Sequence, residues 1–143
     1  MSTSMTHQND TQAATRPRVK LPLLAIEAAL VINVVILTLA RLANGEFPVA
    51  NTGSDDQTVG YVAVIAMTLL LGFAAWGLLA VLERTTSQPR TIWTAIAVAF
   101  FLVSMLGPLS GVDTASKVVM ALLHVGSAIA IIPLMRASAS PRR

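Results

Sequence analysis

The sequence contains no cysteine. That excludes disulfides, zinc–thiolate sites, iron–sulfur clusters and thiol redox chemistry. Charge is also scarce: Asp, Glu, Lys and Arg make up 12% of the 143 residues, against about 25% in a soluble domain. Histidine occurs twice, and His7 lies in a polar N-terminal stretch, so His124 is the one imidazole of the apolar region. No P-loop, glycine-rich nucleotide loop, catalytic triad or metal-ligand spacing can be assembled. A cofactor is therefore not expected, and an enzyme is the least supported class. The chain is basic, with a formal charge of +3. Its cations sit at the ends of apolar runs rather than in a patch interleaved with aromatics, so nucleic acid is not an expected partner.

What the chain has instead is long apolar runs. No charged residue falls between Gln57 and Leu82, between Thr91 and Val112, or between Val118 and Met135, and Leu21 to Ala40 carries one, Glu27. A helix rises about 1.5 Å per residue, so roughly 20 apolar residues cross a hydrocarbon core of about 30 Å. The expected fold is an all-α membrane protein, an antiparallel bundle of four transmembrane helices over about 21–42, 59–82, 91–109 and 116–135. Arg16, Arg18 and Lys20 ahead of the first run suit a signal peptide. Yet the run exceeds an h-region of about 7–15 residues and contains Glu27. It reads as a retained helix.

Residues 1–19 are polar, rich in Ser, Thr and Gln, and read as a disordered cytoplasmic tail. Residues 20–136 form the membrane domain, and 137–143 a short basic tail. Pro22 fits the first turn of helix one. Pro108 falls near the end of helix three, and Pro133 is expected to bend the last turn of helix four. Eight of the ten Lys and Arg residues fall on one side of this layout; Arg41 and Lys117 fall on the other. The positive-inside rule then puts both termini in the cytoplasm and the protein in the cytoplasmic membrane. Periplasm-active reporters fused near Gly53 and Ser87 would check that orientation. Trp76 and Trp93, near the inner ends of helices two and three, read as interface aromatics.

Glu27 is the leading candidate for chemistry. A carboxylate in hydrocarbon is costly, so it is expected to face the bundle interior, a water cavity or a partner, or to take up a proton. By depth, Glu27, Asn33 and His124 could meet between helices one and four, with Lys117 on the same face of helix four as His124. Glu27 and Asn33 are about 120° apart on the helical wheel, so both cannot point straight at one partner. The expectation is a buried polar or proton site of Glu27, Asn33, His124 and Lys117, the alternative being separate structural roles. Ala25/Ala29, Ala95/Ala99 and Gly126/Ala130 have small-xxx-small spacing, and Gly72 and Gly77 suit close helix approach. Thr68, Thr94, Ser104 and Ser127 read as hydroxyls bonded back to their own helices.

The stretches Trp76–Arg84, Ile92–Thr94, Leu106–Ser110 and Ala121–Val125 through Ile132-Pro133 carry a resemblance over about residues 22–136. They resemble a family of small, mainly actinobacterial, four-helix membrane proteins classed as a domain of unknown function. The resemblance implies four helices and a membrane location, and supplies no activity. The chain is also similar to small multidrug exporters in having four helices and one glutamate in the first. Its longer first loop and lack of their aromatic motifs depart from that pattern. The expected role is a non-enzymatic accessory or binding membrane protein. Its partners would be the lipid bilayer and a second copy or another membrane protein. The alternative is a proton-coupled carrier or conductance using Glu27.

Overall fold

A computed structural model describes residues 19–46, 48–49, 57–110 and 112–140. Four long helices dominate: α1 (Lys20–Asn44), α2 (Tyr61–Thr85), α3 (Pro89–Ser104) and α4 (Thr114–Ser138). All four are long and apolar enough to cross a membrane, α3 when counted with the turn that follows it. The protein is a multi-pass membrane protein built as an all-α bundle. The expected N-terminal tail lies outside the described residues. In the loop after α1, β1 (Pro48–Val49) and β2 (Gln57–Thr58) form a minimal antiparallel pair, Pro48 opposite Thr58.

The helix ends follow local chemistry. Pro22 and Pro89 sit in first turns, where a missing N–H costs nothing. Gly45 closes α1 at φ +83°, a left-handed value that favours glycine, and donates its N–H to Arg41 O. Asp113 caps α4 by accepting from the Ser116 N–H at 2.6 Å. That bond holds the Asp113 carboxyl below the usual carboxylate value. Helix α3 stops at Ser104, five residues short of its expected end. Pro108 supplies no N–H and disfavours helix at Gly107. The chain tightens into three-residue bonds, Leu106 N to Val103 O and Leu109 N to Leu106 O, and a 3-10 turn over Gly107–Ser110. Helix α4 runs on through Pro133 to Ser138, longer than expected, so the basic tail begins later than residue 137.

α1 and α4 form the most extensive helix pair; α1 also packs on α2, and α3 docks on α2 and α4. Two glycines set the closest approaches. A Cβ at Gly72 would lie 2.9 Å from Ile26 Cγ1, and one at Gly126 would lie 2.7 Å from Ile32 Cγ2. Small residues matter here because lipid is as apolar as leucine, and association depends on close packing. Gly77 has open space beside it, and Ala95 and Ala99 are exposed on α3. Those three do not serve contacts within the bundle.

The interior divides into two apolar clusters. At the end where α1 begins and α4 finishes (the termini end), Ala25, Ile26, Leu79, Trp93, Met135 and Ala139 pack together. Toward the loop end, Leu37, Val64, Val119 and Leu123 form the second. Trp93 is 1% exposed and donates its indole N–H to Ala75 O at 2.9 Å. It anchors α3 on α2, packed inside the bundle rather than facing outward. Trp76 is half-buried, packs against the same cluster and lies 6.3 Å from the Phe73 ring.

Candidate functional site

The polar centre of the bundle is Asn33, not Glu27. Asn33 is 3% exposed. Its Nδ2 donates to Thr68 Oγ1 at 3.0 Å and to Ser127 Oγ at 2.7 Å, tying α1 to α2 and α4. This layer lies between the two apolar clusters. Asn33 Oδ1 is buried without a hydrogen-bond partner, and it lies 3.3 Å from where a Gly126 Cβ would stand. A side chain at 126 would crowd the amide by a few tenths of an ångström. Thr68 and Ser127 depart from the back-bonding expectation, while Thr94 and Ser104 follow it, donating to Arg90 O and Phe101 O.

Glu27 is exposed on the outer face of α1 and makes no hydrogen bond or ion pair among the described residues. The inward stripe of α1 is Pro22, Ala25, Ile26, Ala29, Asn33 and Leu37. At 100° per residue, Glu27 lies about 130° round from the middle of that stripe. His124 lies about 120° round from the inward stripe of α4, which runs through Ser116, Val119, Leu123, Gly126 and Ala130. Its Nδ1 donates to Met120 O at 2.7 Å; a carbonyl can only accept, so that nitrogen carries the hydrogen. The ring faces Gly107, where a Cβ would stand 3.6 Å from Nε2. Lys117 is exposed in the first turn of α4. The structure therefore does not bring Glu27, Asn33, His124 and Lys117 together. Measured from the termini end, Glu27 and His124 also differ in depth by about 10 Å.

Two polar features and one mainly apolar groove had no counterpart in the sequence reading. At the loop end, Arg41 Nη2 donates to Val59 O at 2.9 Å, and its guanidinium lies 5.0 Å from the Tyr61 ring centre. Tyr61 donates to Thr38 Oγ1. At the termini end, Glu83 accepts from the Ser140 N–H, and Arg90 donates to Ala139 O, fastening the end of α4 to α2 and α3. On the outside, a groove between α3 and α4 is lined by Thr91, Thr94, Ala95, Val98, Leu102 and Arg136, among others. The spacing i, i+3, i+4, i+7 in α3 was the readable signal for that groove.

Chemically, the interior is a structural hydrogen-bonded layer with one unpaired acceptor, Asn33 Oδ1, and the exposed carboxylate of Glu27 lies on the outside. Among the described residues, no set of three or more His, Asp and Glu is placed to hold a metal ion. The chain belongs to a family of unknown function, DUF6069, whose description matches residues 13–141. No curated protein and no solved structure matches it.

Proposed function

We propose that this protein is a non-enzymatic accessory or binding protein of the cytoplasmic membrane that works through its outer, membrane-facing surface. The observation that carries this reading is the position of Glu27. A carrier or conductance built on that carboxylate needs it on a path through the bundle. Here it stands on the opposite side of α1 from the interior, and the middle of the bundle is closed by the Asn33–Thr68–Ser127 layer. Intramembrane acids almost always face protein or water rather than lipid. An outward one therefore favours a protein neighbour.

Reconstitution tests this. Purified protein in liposomes under a pH gradient should pass protons and small cations no faster than empty liposomes, and Glu27→Gln should change nothing. A protein-dependent flux that Glu27→Gln abolishes would replace the accessory reading with the carrier one.

A further inference from the structure

We propose that α1 of one copy docks into the α3–α4 groove of a second copy, with Glu27 paired to the partner's Arg136. Both groups need a neighbour. Glu27 is exposed on a membrane-spanning helix without a hydrogen bond or ion pair among the described residues. Arg136 is exposed, lines the groove and likewise has none. Glu27 is not at the bilayer edge. Leu21, Leu23 and Leu24, on its terminal side, are all exposed and belong in hydrocarbon. With α1 centred in a core of about 30 Å, the Glu27 backbone is about 7 Å inside the boundary.

The two groups lie within side-chain reach in depth. Ile26, Trp93 and Met135 pack in one core cluster near the ends of their helices; counted from the Asn33–Ser127 bond, the Arg136 backbone lies about 5 Å nearer that end of the bundle than the Glu27 backbone. Glu27, Thr94 and Arg136 each follow one of these residues directly. Side chains lean toward the N-terminus of their own helix. The antiparallel course of α1 and α4 makes Glu27 lean toward the termini end and Arg136 away from it, so the two converge.

The two surfaces match in register. α1 and α3 run in the same direction away from the termini end. Leu24, Glu27, Ala28, Val31 and Val35 on α1 have the same spacing as Thr91, Thr94, Ala95, Val98 and Leu102 on α3. Laid side by side, Ala28 meets Ala95, the small-residue contact that lets backbones approach. Val31, 60% exposed, meets Val98. Every copy has one orientation in the membrane, so this parallel pairing is available to all of them. The contact is heterologous: each copy offers a ridge and a groove, and assembly propagates into a ring or a row. This goes beyond the accessory reading. Flux through such an assembly would end that reading and leave the contact standing.

The lack of cysteine makes the test free of background. Chains carrying Val31→Cys and chains carrying Val98→Cys are co-reconstituted at equal amounts in bilayers and oxidised. A disulfide between the two kinds of chain is expected, with each kind alone forming none. Adding Glu27→Arg to the Val31→Cys chain should lower the yield at least tenfold. Arg136→Glu on the Val98→Cys chain should restore it. Where reversed charges prevent accumulation, Glu27→Gln should lower the yield several-fold. Overturning results are a Val31→Cys chain that links to itself, no link in the mixture, or a link indifferent to the charges. The last leaves Arg136 to lipid phosphate and Glu27 to a different membrane protein.

Discussion

Two residues in one helix separate structure from surface. Asn33 and Glu27 are six positions apart, and the wheel forbids both from facing one partner. The sequence made that restriction plain, but not which of the two turns inward, because α1 is apolar on every side and its period carries little contrast. The structure resolves it through Gly126, whose missing side chain leaves room for the Asn33 amide. His124 was the more tempting partner by type, yet it is spent on its own helix. The hydroxyls Thr68 and Ser127, which look like ordinary back-bonders, are the actual partners. Membrane hydrogen bonds average about 0.6 kcal/mol and reach about 1.7. Asn33 makes two, so Asn33→Leu should cost about 1 kcal/mol. Ser127→Ala should then cost almost nothing further in the Asn33→Leu background. A double-mutant cycle on unfolding in bicelles measures both, and additive costs would remove Asn33 from the centre of the layer.

At the scale of elements, the four helices were legible because spanning length and lack of charge are strong signals. Their ends were less so. The early stop of α3 comes from Pro108 acting on the residue before it, while Pro133 leaves α4 unbroken. Helix contacts were half legible: small-residue spacing marks Gly126 and Ala130 on the α1–α4 contact and equally marks Ala95 and Ala99, which face outward. Spacing alone cannot tell an intramolecular contact from an intermolecular one. Gly77 of α2 and Gly126 of α4 give a direct comparison. Gly126→Val would drive Cβ against the branched Ile32 Cγ2 and the end of Ile36, at 2.7 and 3.0 Å. Overpacking of this kind costs about 1–3 kcal/mol. Gly77→Val meets nothing within 4 Å and should stay within about 0.5 kcal/mol of the parent. Equal effects at the two sites, measured by unfolding in bicelles, would contradict the packing described.

Across the whole molecule, the polar groups sort by position. A hydrogen-bonded layer closes the middle, backbone clamps fasten both ends, and Glu27 and Arg136 stand on outer surfaces of the bundle. The bundle and its membrane setting could be read from the sequence. The sorting of inside from outside could not, and the functional reading rests on it. Its central claim is that α1 turns Asn33 in and Glu27 out. Disulfide trapping within a single chain tests that most directly, since no native cysteine competes. A chain carrying Asn33→Cys with Ser127→Cys should close an intrachain disulfide on mild oxidation in bilayers. A chain carrying Glu27→Cys with His124→Cys should stay open. Closure of the second pair and failure of the first would contradict the account and restore the interior acid site.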